Sequence, residues 1–522
     1  MSNKKLKRRS KSVLITLIVA ALLAASVLTG TQIVNAEESV AATSADGTQT
    51  YRSTTDAWNA ALKGTKIVLQ SNWSLSSRLI VSSGANVTIE MNGHTISRNL
   101  KDYESNGEVI EMEDGASLTL LGNDNPNKSS NIRCVDFDRE DIDGESNYKF
   151  MWLTSGGFIN GGLGTNGAGG IHMHENSSLT LDNVAVAGNF TKSSIFYSDN
   201  GGGIKMAGDN CKLTMKNNAY VDYNYAYDNG GGVYIDCDNC KITMENGCHI
   251  NNNRADKQGG GVYMNQENIT ISGGAISGNK AKNGGGIYNN DNNNTVSDCK
   301  ITKNIASESG GGLYCDSMKN ISLSGIVYIL DNKRGDATDD DLYLQTGALS
   351  QAHLISAPAE KSAIGIRLEE GNIPDGGLQV AENQTTYNEE MFFSNLSSFY
   401  IFHRYSDKTL FLKKGTTEKS YYVMINGERY GSWKEGATVA TNGKKDGELF
   451  WKWVAADGIS LSDLKSQYSS LTTFKMPANS VFLTAGYVTP VDKLTLTVDM
   501  PKGGEKLDTK ATLSWIDDDN KV

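Results

Sequence analysis

Few residues in this chain have the type and spacing that chemistry needs. His172-x-His174 places two imidazoles on one strand face, as a metal would require. Zinc takes three or four ligands, and the adjacent Glu175 points to the other face, so both histidines are expected to be exposed. Cys237-x-x-Cys240 has metal or redox spacing, but no second pair follows it at zinc-ribbon distance. The seven cysteines read as buried small hydrophobes, with one or two disulfides. Two acidic clusters, 138–145 (DREDIDGE) and Asp339-Asp340-Asp341, could take calcium. An EF-hand register fails on the first, which puts Arg139 at ligand position one and Phe150 at position twelve. Both clusters are read as solvated acidic loops, with calcium as the possible cofactor. Asp222, Asp236, Asp238, Asp316 and Lys205 are scattered and read as solvated. Gly162-x-Gly164-x-x-Gly167 matches a dinucleotide fingerprint by letter only, since no helix follows it. No catalytic residue and no metal ligand is assigned.

The elements that would carry these residues are set by a repeat. Clusters of two or three glycines precede an aliphatic residue at Ile171, Ile204, Val233, Val262, Ile287 and Leu313, and the last glycines lie 33, 29, 29, 25 and 26 residues apart. Such a period signals stacked units. Each unit holds two or three short strands of alternating character, which implies β structure. One coil cannot bury its apolar face alone. Stacking in register, each strand about 4.8 Å from its equivalent, does so. The expected fold is therefore all-β, a parallel β-solenoid.

Asn189, Asn224, Asn253, Asn279, Asn304 and Asn332 each fall 18–21 residues after a glycine cluster, usually as Asn-x-Ala. They are expected to turn the chain and to bond one to the next as a structural ladder. Glycines at the next corner supply positive φ. Tyr234, Tyr263, Tyr288 and Tyr314 each follow the inward aliphatic residue, with His172 and Lys205 at the equivalent earlier positions. Alternation points this row outward on one wall. Two readings stay open: a ligand-binding ladder for sugars or a protein, or stacked rings that shield the coil.

The Gly-Gly-Gly-[Ile/Val/Leu]-Tyr repeats, the Asn-x-Ala turns and the run Val87-Thr88-Ile89-Glu90-Met91-Asn92-Gly93-His94-Thr95-Ile96 resemble right-handed parallel β-helix proteins of the pectin-lyase-like superfold, especially bacterial surface and adhesin-like members. The likeness spans roughly residues 50–415. It implies that the short amphipathic stretch 54–62, with Thr or Asp near its N-cap, plugs the first coil, and that Asn92-Gly93-His94 is a structural turn. Enzymes of this superfold carry Asn-Thr-Asp, Asp-Asp, Gly-His-Gly and Arg-Ile-Lys sets, or a calcium-carboxylate cluster facing a basic residue. Neither set is found: Asn-Thr-Asp, Gly-His-Gly and Arg-Ile-Lys do not occur, and no calcium-carboxylate cluster faces a basic residue. Residues 420–488, with Tyr421-Tyr422-Val423, a buried centre at Trp451-Lys452-Trp453 and a closing Phe474-Lys475-Met476-Pro477-Ala478-Asn479, are similar to a divergent internalin-type B repeat of Gram-positive surface proteins.

The expected organisation is a signal peptide (1–36), a leader and cap helix (37–64), the β-helix proper (65–335), terminal coils and cap (336–416), the B-repeat-like module (417–488) and an incomplete immunoglobulin-like segment (489–522). Residues 122–167 read as a long excursion from the wall. The signal reading rests on six basic residues before the apolar run 13–28 and a small-x-small site at Val34-Asn35-Ala36. Of 522 residues, 55 are glycine; Lys and Arg number 49 against 60 acidic residues. The first 36 hold six basic and no acidic residues, so the remainder carries −17. That charge argues against nucleic acid and anionic membranes. The chain is thus expected to be a secreted or cell-surface monomer, a non-enzymatic adhesin-like protein binding host or neighbouring-cell glycans or proteins. The alternatives are a polysaccharide lyase or glycoside hydrolase acting near 122–167, and a passive stalk.

Overall fold

A computed structural model describes residues 40–488, except 124–128, 136–147, 166, 193–198, 317–319, 336–337, 346–357, 360, 369–372, 374–376, 382–390, 405, 407, 416–419 and 446–447. The signal peptide, the immunoglobulin-like segment and the acidic stretch 138–145 lie outside the described residues. Two compact units are present, divided between residues 419 and 420.

The first unit is an all-β, parallel β-helix-like solenoid in which matched residues of successive coils pair in register. The strand after each glycine cluster shows this most directly. Ile110, Ile171, Ile204, Val233, Val262, Ile287, Leu313 and Leu342 form one inward column, and every one of them is fully buried. A full coil contains four short strands rather than two or three: Ile204–Met206, Lys212–Lys216, Tyr220–Asp222 and Tyr225–Ala226 in one example. Three belong to a 29-stranded sheet, and the fourth column forms a separate eight-stranded one. The bends between them rest on residues other than the ladder asparagines. Asn176, Asn183, Asn210, Asn217, Asn252 and Asn293 hold the positive φ angles, as asparagine can do locally.

The ladder asparagines do something else. The main-chain N–H and Nδ2 of Asn224 both donate to Oδ1 of Asn253, at 3.0 and 3.1 Å, and Nδ2 also donates to the Val186 carbonyl at 2.9 Å. The same pattern joins Asn189 to Asn224, Asn253 to Asn279, Asn279 to Asn304 and Asn304 to Asn332. All six are fully buried. A buried corner with no water needs one side chain that accepts twice and donates twice, and a primary amide is the shortest that does.

The glycine clusters divide the work. In the five three-glycine clusters only the first glycine, such as Gly230 and Gly259, has positive φ (67° and 66°). The next two are excluded from being anything else by space. A Cβ on Gly260 would sit 2.4 Å from the Lys280 carbonyl oxygen, and one on Gly261 would sit 2.6 Å from that of Gly286.

At the N-terminal end the helix Thr54–Leu62 buries Ala57, Trp58 and Ala61 within the same core cluster as the first coils. Its N-cap is Ser53, whose Oγ accepts from the Asp56 N–H at 3.1 Å. The leader also forms strands: Ala42–Ser44 pairs antiparallel with Ile67–Leu69 and with Thr50–Tyr51. The excursion is narrower than expected. Ser129–Val135 and Tyr148–Thr154 form an antiparallel pair, and Phe158–Asn160 is already back in the parallel stack. Past residue 336, Leu342–Leu344, Ala363–Arg367 and Phe392–Ser394 continue the parallel stack. An antiparallel sheet of Leu378–Ala381, Thr409–Lys414 and Phe399–Arg404 ends it. No helix among the described residues is long and apolar enough to cross a membrane.

In the second unit, Ser420–Ile425 pairs antiparallel with Glu428–Lys434 and parallel with Val481–Val488, which also pairs antiparallel with Leu449–Asp457. Thr438–Asn442 and Leu471–Lys475 form a second pair. Its core gathers Val423, Val439, Trp453, Phe474 and Met476. Trp453 is the buried centre, while Trp451 is half-buried.

Replacing Asn253 by Leu tests the ladder. It strips the acceptor from two Asn224 donors and removes the donor to the Val221 carbonyl. Each buried group left unpaired costs about 1–3 kcal/mol, so urea unfolding of the solenoid is expected to show a loss of about 2–5 kcal/mol.

Candidate functional site

The outward residues of the strands that follow the glycine clusters form one continuous column. Pairing register places Ile80, Glu111, His172, Lys205, Tyr234, Tyr263, Tyr288, Tyr314 and Tyr343 on successive coils. The row thus contains a fifth tyrosine, Tyr343, which follows no glycine cluster and so carried no signal in the sequence. Neighbouring rings are 5.2, 5.2, 4.8 and 5.2 Å apart and lie within 16° of parallel.

These rings point away from the aliphatic core, as alternation requires, but they are not an open platform. Tyr234, Tyr263, Tyr288, Tyr314 and Tyr343 are only 3–8% exposed. The first glycine of each cluster folds over the base of its ring: a Cβ on Gly230 would lie 2.7 Å from the Tyr234 Cβ, and one on Gly259 2.8 Å from that of Tyr263. The Tyr288 hydroxyl donates to Asp316 Oδ2 at 3.1 Å. Burial, then the charges of Asp316 and Asp236, push the Tyr263 phenol up to about 12. Burial and Asp236 raise Tyr234, and burial and Asp316 raise Tyr288 and Tyr314.

Toward the N-terminal coils the same column becomes ionic. Arg78 bonds Glu108 and reaches Glu111 Oε2 at 2.7 Å. His174 Nε2 lies 3.2 Å from Glu111 Oε1, and the His172 and His174 rings are 4.4 Å apart. The expectation of two exposed histidines is therefore corrected: both are half-buried, because the coil beneath supplies Glu111 directly opposite His172. Glu108 is fully buried. Among the described residues, neither its Oε2 nor His172 Nε2 has a hydrogen-bond partner. Burial foremost, then the positive charges of Lys205, His174 and Arg78, push the His172 imidazole down to about 3, so it is neutral. Burial foremost lowers the Lys205 ammonium, opposed by the charges of Asp236, Asp199 and Glu108. Gly167 packs close here: a Cβ on it would crowd Glu108 Oε2 at 3.1 Å and touch His172 Nδ1 at 3.5 Å.

Among the other residues read as solvated, Asp222 and the cluster at 339–341 depart from that reading. Asp222 is buried, with Oδ2 3.5 Å from His249 Nε2, and its Oδ1 accepts from the Asn251 N–H. The His249 ring stacks on Tyr220 at 5.1 Å. Asp236, Asp238, Asp316 and Lys205 are half-buried. Asp340 and Asp341 are 0% and 2% exposed, so Asp339-Asp340-Asp341 is not a solvated loop. Asp341 instead ends the asparagine ladder. Its Oδ1 accepts from the Asn332 N–H and Nδ2 at 2.8 and 3.0 Å, and its Oδ2 accepts from Asn395 Nδ2 at 2.9 Å. Cys237 and Cys240 form a disulfide, while Cys211, Cys248, Cys299 and Cys315 are buried.

A second outward column escaped the sequence reading. On the strands Asn86–Glu90 through Ile321–Ser324, Thr88, Thr119, Thr180, Thr214, Thr243, Ser272, Ser297 and Ser324 fall in one register line. All eight residues are half-buried on the outer face of the strand, and the Ser272 hydroxyl donates to the Ile242 carbonyl at 3.4 Å. Thr and Ser at alternate positions are ordinary outward strand residues, so only the pairing register reveals a line of eight. Comparison of the chain with protein families, with curated proteins and with solved structures finds no match.

Two outcomes follow. In an alkaline ultraviolet titration, the column tyrosines are expected to ionise well above the phenols of the unfolded chain, with the missing phenolate absorbance appearing on denaturation. Asp341 gives the second. Burial, opposed by the Asn332 and Asn395 donors, pushes its carboxyl up from 3.8 to about 8. A folded pKa above the unfolded value stabilises fully below about pH 4, and that contribution is lost as pH rises through 8. Asp341→Asn, which extends the amide ladder, is expected to flatten the fall in melting temperature between pH 5 and 9.

Proposed function

We propose that this protein is a secreted, surface-displayed, non-enzymatic binder of glycans, with the threonine–serine column as its contact line. The observation that carries the reading is that column: eight uncharged, half-buried hydroxyl residues on successive coils. A hydroxyl both donates and accepts and rotates to suit its partner, which suits the many equivalent hydroxyls of a neutral polysaccharide. Each such contact is weak in water, directly or through a bridging water. A rigid row of them adds up along a polymer. The charge of −17 after residue 36 disfavours polyanionic glycans, so neutral ones fit best. Surface display follows from the basic and apolar N-terminal pattern. The resemblance to adhesin-like members of the pectin-lyase-like superfold and to internalin-type B repeats supports the same placement.

The buried state of Tyr234, Tyr263, Tyr288 and Tyr314 moves the contact away from them and makes ring shielding their role in this reading. An array of neutral glycans probed with the full chain is the test. Thr180→Val, Thr214→Val and Thr243→Val together keep the β-branched shape and remove three adjacent hydroxyls. This variant is expected to bind at least about tenfold more weakly, roughly 1.4 kcal/mol, with an unchanged melting temperature. Binding equal to the parent's overturns the reading. Loss of binding in a folded Tyr263→Leu variant would return the contact to the tyrosines.

A further inference from the structure

The ionic end of the tyrosine column holds the ingredients of a metal centre. We propose that Glu111 Oε1, His172 Nε2 and His174 Nε2 form a binding site for a borderline divalent cation of the zinc class, with a fourth position open to water or ligand. This inference is independent of the glycan reading.

The geometry is close to what such an ion needs. Tetrahedral zinc, with bonds of about 2.0–2.1 Å, sets neighbouring donor atoms about 3.3 Å apart. His174 Nε2 and Glu111 Oε1 already stand 3.2 Å apart, and the donor atoms of the three residues all lie within 4.8 Å of one another. Two imidazoles and one carboxylate select zinc, cobalt or nickel over calcium, which takes six to eight oxygens.

Two buried atoms without partners point the same way. Among the described residues His172 Nε2 has no hydrogen-bond partner, so its lone pair is free when the ring is neutral. A ring that ligates through Nε2 presents Nδ1–H on its other side and wants an acceptor there. Glu108 Oε2, itself unpartnered, borders the same space beside Gly167 that His172 Nδ1 borders. Glu111 is oriented too: Arg78 takes Oε2 at 2.7 Å and leaves Oε1 turned toward His174.

Acidic side chains also gather here, which favours a cation: Glu108 and Glu111 pair with Arg78, and Asp236, Asp199 and Glu108 act on Lys205. In the register the site lies directly below the tyrosine stack, with only Lys205 between them.

Cobalt(II), whose visible absorption reports tetrahedral nitrogen and oxygen ligation, is the probe. Tag-free full chain, stripped with chelator, is titrated with cobalt chloride and then displaced with zinc chloride. The expected result is one saturable equivalent with visible bands, lost on adding zinc, and a melting temperature raised by zinc. Glu111→Gln and His174→Ala, both at accessible positions, are expected to weaken cobalt binding at least about tenfold while keeping the parent's circular dichroism. His249→Ala, on a distant face, is expected to bind as the parent does. The proposal is overturned if the parent shows no saturable cobalt band. It is equally overturned if Glu111→Gln and His174→Ala bind like the parent, or if His249→Ala loses binding as they do.

Discussion

The solenoid depends on a buried amide that must give two hydrogen bonds and take two. Asn224, Asn253, Asn279, Asn304 and Asn332 each meet that demand through the coils on either side, and each fails if one of those coils slips by one residue. A one-residue slip in a strand also exchanges its inner and outer faces. The ladder and the aliphatic columns therefore enforce the same register. Asp341 closes the row with a carboxylate, whose two oxygens accept from the coils on either side.

That register turns the outer surface into columns whose character changes along the axis. One wall runs from Ile80 through Glu111, His172 and Lys205 into five stacked tyrosines. Its aromatic part is shielded by its own stacking and by the glycines folded over it. Its ionic part keeps polar atoms unpaired beneath the surface, which a structure tolerates at a cost. The neighbouring wall carries the threonine–serine line. Rigid spacing, not any single strong contact, makes such a wall usable.

Much of this was legible in one dimension. The recurrence of Gly-Gly-Gly before an aliphatic residue and of Asn-x-Ala after it announces a stacked coil, because both motifs answer a steric or hydrogen-bonding need at a corner. Tyr234, Tyr263, Tyr288 and Tyr314 were legible as a row for the same reason. Their burial was not, since alternation tells which way a side chain points and not what lies over it. His172 and His174 looked short of a third ligand because Glu111 is 61 residues earlier and adjacent only through the coil beneath. The closing turn at Asp340 and Asp341 looked like a solvated acidic loop, because three consecutive acids normally are one.

Residue types and their period were enough to establish the all-β stacked coil, its inward columns and the identity of its corner residues, since those needs repeat locally in every turn. Which outward residues meet, and how deeply they are covered, follows from loops of unequal length that bring distant coils into contact. Glu111 beside His172, Tyr343 beneath Tyr314 and the eight-rung hydroxyl line arise from that pairing between coils, which no local window of the chain contains.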